Sequence, residues 1–160
     1  MTEMSEHDYV ESTGEYKNSR KNEYTYDANN NIIFWARYLW ASFTDMNYEW
    51  IKTSDNSYVY DSNNQETERL TRILFQNIIT YEYEMTNSRK LINVWDANGN
   101  KTEYHYIRWD RSTSTWKDPV KTFYTYDSNN NNVGWVKVAT DGTNIEKKYV
   151  YLSEYFRNGG

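Results

Sequence analysis

Cysteine is absent from all 160 residues, which excludes disulfides, thiol nucleophiles, CxxC metal sites and iron–sulfur clusters. Histidine occurs only twice and proline once. Valine, isoleucine, leucine and phenylalanine together number only 27. A share that low, joined to a large net charge and few aromatics, would mean disorder. Here the formal charge is only −5, and 29 residues are Phe, Trp or Tyr, 17 of them Tyr. Rings must therefore supply the burial that aliphatics usually supply. No apolar run approaches the ~20 residues of a membrane-spanning helix, and Met1 to Asp8 is polar and acidic, unlike a signal peptide. No basic run stands out and the pI is near 5.1, so nucleic acid is not the expected partner.

What is abundant is asparagine, at 20 residues, and much of it falls into a recurring pattern. The copies are Tyr24-Thr25-Tyr26-Asp27-Ala28-Asn29-Asn30-Asn31 and Tyr58-Val59-Tyr60-Asp61-Ser62-Asn63-Asn64-Gln65, then Asn93-Val94-Trp95-Asp96-Ala97-Asn98-Gly99-Asn100 and Tyr124-Thr125-Tyr126-Asp127-Ser128-Asn129-Asn130-Asn131. They occupy 24–31, 58–65, 93–100 and 124–131, with aspartates 34, 35 and 31 residues apart. Eleven residues before each aspartate stands a large apolar residue: Tyr16, Trp50, Met85 and Trp116. The tetrapeptide Asn18-Ser19-Arg20-Lys21 returns as Asn87-Ser88-Arg89-Lys90. Four phased copies define an internal repeat.

The pattern is turn chemistry. Aspartate opens a type I turn by accepting from backbone amides two or three residues on. The fourth residue, Asn30, Asn64, Gly99 or Asn130, is one of the two types that best tolerate left-handed backbone. That combination is the three-residue hairpin loop ending in a bulge. Before each turn, rings alternate at period 2, as in Tyr24/Tyr26 and Tyr124/Tyr126; Ile32 to Phe43, Glu66 to Gln76, Lys101 to Trp109 and Asn132 to Thr140 read as the return strands. Polar stretches at 45–47, 112–114 and 141–144 turn the chain back. The expected fold is all-β, an antiparallel meander of repeated long hairpins with about ten strands. Its strong twist leaves open a curl toward a barrel. Residues 9–156 form one domain, with 1–8 and 157–160 frayed, and the edge strands lie near Tyr16–Tyr26 and Val136–Tyr151.

The motif resembles tandem repeats of secreted and surface proteins from Bacteroidetes-type bacteria, and more distantly the YD repeats of Rhs and teneurin-like proteins. The resemblance covers about residues 9 to 152. It implies an extracellular or cell-surface setting and an array of hairpins in a continuous β-sheet. The period here is longer than in YD repeats, and the Gly-Arg-Leu that often follows their aspartate is missing. Four hairpins cannot close a large shell, so the resemblance implies a surface array rather than an enclosure.

Candidate sites are few. Asp27, Asp61, Asp96 and Asp127 invite a calcium reading, but each loop offers one carboxylate and no glutamate recurs at a twelfth position, so the turn explains them without a metal. Trp40, Trp50, Trp109 and Trp116, near the broad ends of the hairpins, are the candidates for stacking on a glycan or peptide. His7 and His105 have no catalytic context, no nucleophile or phosphate-loop motif appears, and no cofactor is implied, so the chain reads as a non-enzyme. Two functions remain open. One is a structural or adhesive repeat module that self-associates weakly through its edges. The other is an aromatic-lined domain that binds a glycan, peptide or small apolar molecule.

Overall fold

The computed structural model describes residues 1–10, 15–41, 47–77, 80–139 and 148–149, and at 8–10, 15–17, 139 and 148–149 the backbone alone. Its strands are β1 (Thr2–Val10), β2 (Glu15–Tyr26), β3 (Ile32–Ala41), β4 (Glu49–Tyr60), β5 (Glu66–Gln76), β6 (Tyr83–Trp95), β7 (Lys101–Asp110), β8 (Thr115–Trp116), β9 (Val120–Tyr126), β10 (Asn132–Ala139) and β11 (Lys148–Tyr149). Ten of them follow one another across a single antiparallel sheet in chain order, and the two-residue β8 pairs with the far end of β7. No helix occurs among the described residues, so none is present there to cross a membrane. The loops at 45–47 and 141–144, the return-strand residues Phe43 and Thr140, and the end at 157–160 fall wholly or partly outside the described residues.

The sheet stays open: no described strand joins β1 to β10 or β11, so the curl toward a barrel is not realised. Each hairpin is offset by two residues from the last: Tyr24, Trp35, Asn56, Thr71 and Arg89 stand opposite one another in turn, and Tyr24, Asn56 and Arg89 lie three, five and seven residues before their aspartates. Neighbouring turns stay close enough for Asn31 Nδ2 to donate to Asn64 Oδ1 at 3.0 Å and Asn100 Nδ2 to Asn130 Oδ1 at 3.0 Å.

Two further expectations are corrected. Residues 1–8 are not frayed: Thr2–Val10 pairs along β2, from Thr2 opposite Tyr24 to Val10 opposite Glu15. The strand over Tyr16–Tyr26 is therefore interior, and β1 is the edge. Charge explains the pairing. Glu6 lies opposite Arg20, while Lys21 Nζ reaches Glu3 at 3.6 Å. Opposite charges across a ladder favour pairing. The repeated tetrapeptide also finds its role. Ser19, Thr53 and Ser88, each eight residues before its aspartate, are skipped in the register as bulges. In the fourth copy that place belongs to Pro119, just before β9, where a ring without an N–H breaks no ladder.

The aromatic core is replaced by something thinner. Among the described residues only Ala36, Ile51 and Leu91 are buried apolar side chains, and no ring is fully buried. The chain exposes 11856 Å², where a compact chain of this mass would expose about 8,500 Å². With no second layer, long cationic side chains cover the rings. Lys21 Nζ lies 4.8 Å from the centre of Tyr38, Lys52 Nζ 5.4 Å from Phe34, the Arg69 guanidinium 5.1 Å from Tyr58 and that of Arg111 4.3 Å from Phe75. Their methylene stems shield apolar surface while their charges stay wet. The largest fully buried side chain among the described residues is an acid: Asp55, 1% exposed and opposite Ala36 of β3, takes both arms of Arg72 at 2.8 Å.

Candidate functional site

The four turns share one geometry. In the first, Asp27 Oδ1 accepts the backbone amides of Asn29 (2.9 Å) and Asn31 (2.8 Å), and Oδ2 accepts Asn31 Nδ2 at 3.0 Å. Asp96 and Asp127 repeat all three bonds, and Asp61 the two backbone ones. The amide side chain at the fifth position, ahead of the backbone donors, holds the carboxyls of Asp27, Asp96 and Asp127 below the usual range. The fourth residues are left-handed, with φ of 64° at Asn30, 60° at Asn64, 63° at Asn130 and 82° at Gly99. The aspartates thus spend their oxygens on the turn.

The ring before each aspartate ties one copy to the one before it. Tyr60 Oη donates to the Ile32 carbonyl (3.0 Å), Trp95 Nε1 to the Glu66 carbonyl (2.9 Å) and Tyr126 Oη to the Lys101 carbonyl (2.9 Å). Each acceptor stands five residues after the previous aspartate. This is why the motif uses Tyr and Trp, which carry a donor, and never Phe.

The candidate tryptophans are brought together in two pairs. Trp40 and Trp50 meet edge to face with centres 5.2 Å apart, and Trp109 and Trp116 do so at 5.0 Å. Both pairs sit at the end of the sheet away from the turns, each residue half-buried. Leu74 opposite Met85 holds the equivalent place between them. The apolar residue eleven before Asp61, Asp96 and Asp127 is thus half of a cross-strand pair.

Strand alternation puts these pairs on one face and the Tyr24, Tyr58, Trp95 and Tyr124 rings on the other. Grooves cross the tyrosine face. One of about 450 Å³ lies among Tyr24, Trp35 and Tyr58, one of about 310 Å³ among Tyr104, Tyr106 and Val120, and a larger one, about 710 Å³, between the second and third hairpins. Gln65, Arg69, Asn93, Trp95 and Lys101 help line it. The sequence reading passed over Gln65 and Asn93; their departure from the repeat was the available signal. His105 Nε2 lies 2.7 Å from Glu103 Oε2 on the tryptophan face, and no group of three or more acids and histidines placed to hold a metal occurs among the described residues.

No family model matches the chain, and neither does any curated protein. Among solved structures, a protein with unknown function from Bacteroides fragilis matches over 82% of this chain and 91% of its own, with a TM-score of 0.51 and 16% identity. A DUF3836 family protein from Bacteroides vulgatus matches over 61% of this chain and 88% of its own (TM-score 0.41, 15% identity). Another from Parabacteroides distasonis matches over 56% and 82% (TM-score 0.36, 18% identity). At such identity the first likeness speaks to the fold alone.

Proposed function

We propose that the chain is a non-catalytic structural and adhesive module, a segment of sheet in a larger or surface-exposed bacterial protein. The observation that carries this reading is the open sheet, in which each hairpin is keyed to the last by a ring-to-carbonyl bond. Such a sheet spans distance and presents two broad faces without enclosing anything. The motif's resemblance to surface tandem repeats supports the same setting. Antibody labelling and protease shaving of intact cells that make the protein test it. Surface labelling and loss of the protein on shaving are expected; a protein wholly protected inside the cell would refute the reading.

The two tryptophan pairs support a second reading, a platform for a glycan or a protein at the cell surface. The edge strand β1 also presents unpaired backbone groups to a second copy, supporting weak self-association that sedimentation over a concentration series would register.

A further inference from the structure

The third motif copy breaks the repeat, and its breaks converge in space. Where the other copies have Tyr24, Tyr58 and Tyr124, the third has Asn93; where they have tyrosine before the aspartate, it has Trp95. Its left-handed turn residue is Gly99 instead of asparagine, and the facing fifth residue in the second copy is Gln65 rather than asparagine. The last two fit each other: Gln65 Nε2 lies 3.1 Å from where a Cβ on Gly99 would stand. Gln65, Asn93 and Trp95 all line the 710 Å³ groove. Asparagine in place of a tyrosine ring leaves room there, so the breaks in the repeat coincide with the groove.

The same groove holds every buried side-chain polar atom that lacks a partner among the described residues: Gln65 Oε1, Asn93 Oδ1 and Arg69 Nε. Asn93 is 6% exposed, and its Nδ2 donates to the Glu66 carbonyl at 3.0 Å, which leaves Oδ1 as its free end. Arg69 spends Nη2 on Glu66 Oε2 at 2.6 Å, which leaves Nε–H. Buried polar atoms without partners are costly, and three in one place call for something that completes them. Two free acceptors and one free donor match a ligand with at least two hydroxyl donors and one acceptor oxygen. The walls add Tyr60, Trp95 and Tyr104. Lys101 Nζ lies over two of those rings, 5.0 Å from Trp95 and 5.9 Å from Tyr104, and makes no ion pair among the described residues. It covers the stacking surface and is free to swing aside.

We propose that this groove is a carbohydrate site. A sugar ring stacks on Trp95 and Tyr104 in place of Lys101, its hydroxyls donating to Gln65 Oε1 and Asn93 Oδ1 and one ring or hydroxyl oxygen accepting from Arg69 Nε. The volume is in the range of small-ligand sites. The site lies on the face opposite the tryptophan pairs and does not depend on the spacer reading.

The test is an array of neutral and acidic oligosaccharides probed with the full chain, followed by titration calorimetry on those bound. Asn93→Tyr restores the residue of the other copies, so it should fold while filling the groove; it is expected to weaken binding at least tenfold. Gln65→Met, which keeps length but removes the acceptor, should weaken it at least threefold even if Asn93→Tyr does not fold. Val59→Ala, at an exposed position of the opposite face, should leave affinity within twofold. No oligosaccharide bound, full binding by both groove variants, or loss on Val59→Ala instead would each overturn the proposal. None of these outcomes bears on surface exposure, which cell labelling reads separately.

Discussion

Replacing the motif tyrosines by phenylalanine, one copy at a time, separates the bonds between hairpins from everything else the rings do. Tyr60→Phe and Tyr126→Phe each delete one hydroxyl and leave the ring in place. Each lost bond, to the carbonyl of Ile32 or Lys101, is part-buried at 3.0 and 2.9 Å. A bond of that kind contributes about 1 kcal/mol net, range about 0.5–1.5. In a two-state chain of this size that lowers the melting temperature by about 2–4 °C. Tyr26 supplies the control. It holds the same motif position and stacks on Tyr24, but the first copy has no earlier turn beside it, and Tyr26 is 41% exposed with no bond from its hydroxyl among the described residues. Tyr26→Phe should therefore stay within about 0.5 kcal/mol of the parent. Urea unfolding followed by circular dichroism reads all three. Equal loss in Tyr26→Phe, or no loss in Tyr60→Phe and Tyr126→Phe, would show that the ring-to-carbonyl bonds do not hold the hairpins together.

Other outcomes follow from the turns. Gly99→Val should cost about 1–2 kcal/mol, because a β-branched residue is forced to φ near 82°. Asn30→Gly should be neutral or slightly stabilising, whereas Asn64→Gly and Asn130→Gly should fall below it, since each gives up an amide bond to the neighbouring turn; identical urea midpoints for all three would contradict this. Acid should unfold the sheet. The carboxyls of Asp27, Asp96 and Asp127 lie below the usual value, held down by the amides at Asn31, Asn100 and Asn131, and bonds from Ser112 and Lys117 bring Asp110 to about 2. Because the folded values are the lower ones, the stabilisation is complete above the unfolded value of about 4 and is lost as the pH falls toward 2. A urea midpoint unchanged between pH 5 and pH 2 would refute the assignment.

The turns were legible because their chemistry is local. An aspartate, a small residue and a left-handed asparagine need nothing from the rest of the chain, and Asn30, Asn64, Gly99 and Asn130 stand where the spacing put them. The strands were legible for the same reason, through period-2 rings. The edge was not. β1 reads as a polar tail, and only the bases on β2 at Arg20 and Lys21, set against acids at Glu3 and Glu6, give it a place. The strand over Tyr16–Tyr26 reads as an edge; it is the partner of β1. The burial was misjudged because composition counts rings without saying what lies over them. Lys21, Lys52, Arg69 and Lys101 do the work of a second layer, and a count of cations cannot show that. The large groove escaped notice because a repeat draws attention to what recurs, while Asn93, Gln65 and Gly99 matter through their departure from it.

The central claim is that the sheet is open, and the distance between its two sides decides it. The absence of cysteine makes Met4→Cys and Lys137→Cys clean sites for a pair of nitroxide labels, both on exposed positions of the tyrosine face. From β1 to β10 there are eight strand-to-strand steps, which at ~4.8 Å each is about 38 Å, shortened somewhat by twist. Double electron–electron resonance should give a distribution centred at roughly 30–40 Å. A distribution centred below about 20 Å would mean that the two sides meet in a closed barrel, and the account of an extended, non-enclosing module would fall with it.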